Sequence, residues 1–100
     1  MRGAHVCKLE KALYTLKQAP RAWYGWIDNY LQEMGFMKSE ADSNVYYLMV
    51  RGEPLILILY VDLFLIGSLG LIQDYKRELV AKFEMKDLGL IYYFLGLKMW

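Results

Sequence analysis

Cysteine is nearly missing from this chain. Cys7 is the single one in 100 residues, which excludes an internal disulfide framework and any cysteine-based zinc cluster. That fits a reduced setting, in which a lone thiol behaves as a small, partly buried hydrophobe. His5, the single histidine, reads just as plainly. Excess charge is missing too. Twelve Lys and Arg face eleven Asp and Glu, for a net charge of +1, so no basic field argues by itself for nucleic-acid binding, and any such contact has to be local. The longest apolar run, Leu55 to Ile66, is interrupted by Asp62 and falls well short of the about 20 residues that cross a bilayer. The start, MRGAHVCKLEK, lacks the apolar core of a secretory signal. The expectation is an intracellular protein with no membrane partner, cytoplasm or nucleus left open. No repeat, low-complexity tract or linker divides the chain.

What is present is apolar. The hydrophobic share is 57%, above the usual range of about 45–50%. In one small domain, that excess points to surfaces that pack against something else. Residues 1–18 are mixed and read as irregular, with a short ordered piece around Val6 to Leu9. Pro20 suits the first turn of a helix, where its missing amide hydrogen is not needed. Behind it Trp23, Trp26, Ile27, Tyr30, Leu31 and Met34 recur at helical spacing as one apolar face. Gly35 is a natural stop. Gly25 inside that helix costs about 1 kcal/mol relative to alanine, which packing of the Trp-rich face has to offset. Core burial is the plain reading of the tryptophans, a base-stacking platform the sharper one.

Past a polar turn at Glu40 to Asn44, VYYLMV (45–50) and LILILY (55–60) flank RGEP, which predicts two strands joined by a tight turn. The second run has no polar alternation, so both its faces are expected to be covered. LFLIG (63–67) would return beside it. Ser68 is a candidate helix cap, and Leu71, Ile72, Tyr75, Leu79 and Phe83 place a helix over 71–83 against the sheet. LIYYFLGLKMW (90–100) predicts a further strand or hairpin with a hinge at Gly96. The fold class is α+β, an antiparallel sheet with two packed helices. Asp62 is left in the middle of the apolar run. A lone charge is costly to bury, so it belongs to a turn, to a site, or to what is left of one.

The phrases VCKLEKALYTLKQAPRAWY, SEADSNVYYL, LILILYVDLFLIGS and FEMKDLGLIYYFLGLKMW, in this order, resemble the reverse transcriptase of copia-type LTR retrotransposons, from about His5 to Trp100. The resemblance implies part of a right-hand polymerase, mostly palm with some fingers. Residues 1–35 would be the nucleotide-pocket segment and its helix, 44–67 the palm hairpins, 68–84 the palm helix and 90–100 an incomplete hairpin that supports the primer. It implies RNA-directed DNA polymerase ancestry, with Mg2+ as cofactor, and a primer-template, deoxynucleoside triphosphates and the remainder of the polymerase as partners. Lys17, Gln18, Arg21 and Tyr60 match positions near nucleotide or template. Thr15 stands where the family usually has glycine, which is needed where backbone approaches a ligand closely.

The family's hairpin tip reads YVDDLFLTGS, with both aspartates near the metals and a third aspartate in an upstream motif. Here Tyr60-Val61-Asp62 runs straight into Leu63, so one aspartate is lost rather than replaced. A loss of one residue calls for a new turn type or a strand slip that would send side chains to the opposite face. The upstream motif is expected to lie before this chain begins. Asp62 is then the one family carboxylate left, a catalytic and metal-ligating position in vestigial form. Two divalent ions need several negative oxygens, so the sequence predicts an inactive fragment. The alternative is a non-catalytic module that binds single-stranded nucleic acid or a protein. Asp28, Asp42, Asp74 and Asp87 match no family metal position and read as solvated helix or turn residues.

Overall fold

The computed structural model describes residues 5–11, 20–60, 62–85 and 90–94. Its elements run β1 (His5–Lys11), α1 (Pro20–Glu33), β2 (Met37–Lys38), β3 (Val45–Val50), β4 (Glu53–Leu59), β5 (Leu63–Gly67), α2 (Leu69–Met85) and β6 (Leu90–Phe94). The strands form a six-stranded sheet in the order β2-β3-β4-β5-β1-β6, and every pairing among them is antiparallel. The α+β class is therefore observed.

The β3-β4 turn is set by backbone handedness. Arg51 and Gly52 both have positive φ, 51° and 82°, the signature of a two-residue type I′ turn, whose twist matches that of its strands. Val50 closes the hairpin opposite Glu53, and Met49 faces Pro54. Next to such a closing pair comes a pair that exchanges no backbone hydrogen bonds, and the β4-β5 register begins only at Ile56. Pro54 thus sits where no ladder needs its missing N–H.

One sheet face carries the core. Leu55, Leu57 and Leu59 of β4, Leu63 and Leu65 of β5, and Cys7 and Leu9 of β1 are all buried there. Ile27, Tyr30 and Leu31 of α1, Leu71, Ile72, Leu79 and Phe83 of α2, and Phe36 and Tyr46 belong to the same cluster. The helices meet through Trp26, whose ring stands edge-on to Phe83 with centroids 5.0 Å apart. Trp26 also stacks on Tyr30 at 6.0 Å. At the other end of α1, Gly35 takes φ 105°, a left-handed stop that suits glycine. Ser68 caps α2, its hydroxyl accepting from the Leu71 N–H at 3.5 Å.

The structure adjusts three expectations. The ordered piece expected around Val6 to Leu9 is the longer strand β1, His5–Lys11, between β5 and β6, and its cue is the alternation of Cys7 and Leu9 with Lys8 and Glu10, a period of two. The two-residue β2 was not anticipated, because Met37 and Lys38 are too few to show periodicity. The expectation that both faces of 55–60 are covered holds on one side only. Leu55, Leu57 and Leu59 are buried, whereas Ile56 and Ile58 are half-buried on a second face that also presents exposed Tyr47 and Met49. Of 90–100, the strand 90–94 is described; Gly96 and the rest of the expected hairpin lie outside the described residues, as does the side chain of Trp23.

A Cβ added at Gly25 would meet nothing within 4 Å. Gly25→Ala is expected to raise stability by about 1 kcal/mol through helix propensity and a less flexible unfolded chain, read as a higher urea midpoint with unchanged slope.

Candidate site at the hairpin tip

β4 and β5 are joined by residues 60–62, with Leu59 paired to Leu63. The leucines on both strands lie on the buried side of the sheet. Inside the loop the Tyr60 N–H donates to the Asp62 carbonyl at 3.0 Å. Val61 lies outside the described residues.

The tip is held from two sides. Tyr24 of α1 donates its hydroxyl to the Tyr60 carbonyl at 2.8 Å, across 36 residues of sequence. On the other side the Tyr60 hydroxyl lies 3.4 Å from Asp42 Oδ2. Asp42 is itself fixed by an Asx-type turn, its Oδ1 accepting from the Asn44 N–H at 3.0 Å. The Leu59 N–H then donates to the Asn44 carbonyl at 2.8 Å, which ties the end of β4 to the same turn.

Asp62 keeps 19% side-chain exposure, with Lys8 Nζ 3.8 Å from its Oδ2. The same ammonium contacts Glu10 Oε2 at 2.8 Å. Its hydrogen bond with Glu10, the charge of Glu10 and then that of Asp62 raise the Lys8 pKa. Around the Lys8 ammonium the tip therefore gathers one aspartate and one glutamate, while Asp42 meets it separately through the Tyr60 hydroxyl. Among the described residues no group of three or more His, Cys, Asp or Glu is placed to hold a metal ion. A pair of magnesium ions does not fit this donor set, because two cations about 3.5–4 Å apart require more carboxylate oxygens than Asp62 and Glu10 supply.

Of the residues singled out in the sequence, the structure places Asp62 and Tyr60 at the tip. Lys17 and Gln18 lie outside the described residues, and Arg21 belongs to α1 with its side chain outside them. Asp87 also lies outside. Asp74 is exposed on α2, as a solvated helix residue should be.

Asp28 is not the solvated residue its position suggested. Its carboxylate accepts from the Tyr46 hydroxyl and from Gln32 Nε2 at 3.0 Å, and pairs with Lys38 at 3.0 Å. Desolvation pushes its pKa up, but the hydrogen bonds from Tyr46, Lys38 and Gln32 outweigh it and leave the carboxyl below its ordinary 3.8. Burial, then the bond to Asp28, pushes the Tyr46 phenol above its ordinary range. This network links α1 to β2 and β3. Tyr24 and the pairing of Lys8 with Asp62 escaped the sequence reading because their partners are far away along the chain, and Asp42, read as a turn residue, is one but also meets the Tyr60 hydroxyl. Only the Lys-x-Glu spacing of 8 and 10, which puts both on one strand face, offered a cue.

Residues 2–100 match the model of the family described as reverse transcriptase (RNA-dependent DNA polymerase), and the chain belongs to that family. It is 42% identical over 100 residues to a retrovirus-related Pol polyprotein from transposon RE1 of Arabidopsis thaliana, covering 97% of this chain and 7% of that protein. It is 43% identical over 96 residues to the corresponding polyprotein from transposon TNT 1-94 of Nicotiana tabacum, covering 93% and 7%. A putative Ty5-1 transposon protein of Saccharomyces cerevisiae is 36% identical over 95 residues, covering 93% of this chain and 31% of its own length. The chain thus spans a small part of the relatives it matches. No solved structure matches it.

Two outcomes follow from this geometry. The Asp28 pKa is lower in the folded state than its ordinary 3.8, so its ionised form stabilises the fold above that value and the contribution is lost as pH falls through the folded pKa. Asp28→Asn is expected to be less stable than wild type at pH 7, with the gap closing below about pH 4 in urea titrations. Tyr24→Phe removes the donor to the Tyr60 carbonyl and is expected to cost about 0.5–1.5 kcal/mol. Its effect on amide exchange is expected to be largest at Tyr60 and Asp62.

Proposed function

We propose that this chain is a non-catalytic remnant of an RNA-directed DNA polymerase palm, in which Asp62 occupies a former metal-ligand position and supports no nucleotidyl transfer alone. The observation that carries this reading is the three-residue tip. It presents one carboxylate where the family resemblance calls for two adjacent ones, and that carboxylate faces a lysine. In-line transfer of a nucleotide relies on cations clamping the attacking and leaving oxygens, and Mg2+ is normally held through carboxylates together with substrate phosphates. With Lys8 beside the lone aspartate, that clamp has no basis here.

Tyr60 and, by resemblance, Lys17, Gln18 and Arg21 would belong to the nucleotide and template side of the ancestral site. The exposed Tyr60 ring suits contact with a base or sugar rather than chemistry. A primer-template, deoxynucleoside triphosphates and the rest of a polymerase are the partners this ancestry implies. One feature favours a second reading, a module that binds single-stranded nucleic acid: exposed Tyr47, Tyr60 and Tyr93 offer sequence-tolerant stacking surfaces. The absence of a basic excess weighs against it.

Primer extension on the purified chain, with Mg2+ or Mn2+, separates these readings. No incorporation is expected with either ion; any templated product above the no-enzyme control would sink the inactive reading. A gel shift with single-stranded RNA that weakens as salt rises would favour the binding module instead.

A further inference from the structure

We propose that the Lys8 ammonium is a tethered counterion for the tip, taking a cation's place between Glu10 and Asp62, so that this end of the sheet excludes divalent metals. The inference deepens the proposed function and rests on it for the meaning of Asp62, but the geometry behind it is independent.

The β1-β5 register sets the arrangement. Leu9 pairs with Leu63, so Glu10 and Asp62 stand one step further along, across from each other at the sheet's end. Like charges directly opposite one another are unfavourable in an antiparallel pair. Lys8 alternates with Leu9 onto the same face as Glu10, and β1 is extended enough there for its long side chain to reach back toward the strand end. Nζ lies 2.8 Å from Glu10 Oε2 and 3.8 Å from Asp62 Oδ2. One cation therefore serves both carboxylates, and the three charges sum to −1. On the other side of β1, Tyr93 of β6 is paired with Lys8 and, among the described residues, is the remaining titratable group facing it from a neighbouring strand.

An ammonium has three donors and no vacant coordination position. It can balance the carboxylates, but unlike a metal ion it cannot accept a phosphate or hydroxyl oxygen as a ligand. Because it is covalently attached, its presence does not depend on the concentration of any ion. A divalent ion approaching the same two carboxylates meets a fixed positive charge at close range. Removing that charge is expected to tighten divalent binding roughly 30-fold, from the repulsion between a divalent ion and a unit charge about 4 Å apart in water.

The test uses the full chain and Mn2+, with free ion counted by electron paramagnetic resonance and folding checked by circular dichroism. Lys8→Met and Lys8→Gln are expected to bind Mn2+ about 30-fold more tightly than wild type, and adding Asp62→Asn to either is expected to abolish the gain. Lys8→Arg, which keeps the charge, is expected to bind as weakly as wild type. Asp62→Asn alone is expected to leave wild-type binding unchanged, a measurement that stands even if the uncharged Lys8 variants do not fold. A change under about threefold in both uncharged variants, a gain that survives Asp62→Asn, or weakened binding in Asp62→Asn alone overturns the proposal. None of these readouts needs catalysis, so primer extension by wild type would defeat the proposed function while leaving this outcome to be read separately.

Discussion

The tip depends on Leu59 facing Leu63. With three residues between them, the two leucines share one face, as residues directly opposed across an antiparallel pair do, and that face is the buried one. A slip of β4 by one residue would carry Leu55, Leu57 and Leu59 out of the core, and a slip of β5 would carry out Leu63 and Leu65. Five fully or almost fully buried leucines each contribute roughly 1.5–3 kcal/mol by burial, far more than any turn preference. The register is thus decided by the leucines, and the loop adopts whatever conformation they leave it. Asp62 is where it is because Leu63 is buried.

The helices transmit that constraint. α1 packs Ile27, Tyr30 and Leu31 into the same core and meets α2 at the Trp26–Phe83 contact. The face of α1 that does this places Tyr24, one turn before Ile27 and Asp28, over the tip carbonyl of Tyr60. Asp28 holds the helix to β2 and β3 through Lys38 and Tyr46. A groove between the helices, bordered by Tyr30, Glu33, Arg51 and Tyr75, opens at the Arg51 end of β4. The seven residues of that strand separate it from the tip by about 20 Å, so the two features are independent surfaces.

Much of this architecture was legible from pattern. The apolar faces of α1 and α2, the β3-β4 turn and the Ser68 cap each carry a local signature, and each lies where its signature pointed. β1 was harder, because its alternation is short and stands beside charged residues that mimic a loop. The half-open second face of β4 was hidden for a different reason: an unbroken apolar run records what a strand prefers, not what covers it. Of the residues gathered at the tip, the sequence pointed to Asp62 and Tyr60. Their neighbours come from β1, α1 and the turn before β3, and contacts between residues 15 or more positions apart leave no trace in local spacing. Asp28 shows the same limit from the other side, since its helical position resembles any solvated carboxylate until Tyr46 and Lys38 are brought to it.

A charge at the end of a buried strand has to be balanced where it stands. Water can do part of this, but Asp62 retains only 19% of its side-chain exposure, and the facing Glu10 adds a second negative group. In a two-metal site that negative density is what recruits cations; here it is met by a side chain of the adjacent strand. The difference is in the order of events. A recruited ion arrives with the ligand and leaves with it, whereas Lys8 is present as soon as β1 pairs with β5. Folding itself therefore sets the charge balance at the tip, because pairing of β1 with β5 is what brings Lys8 beside Glu10 and Asp62.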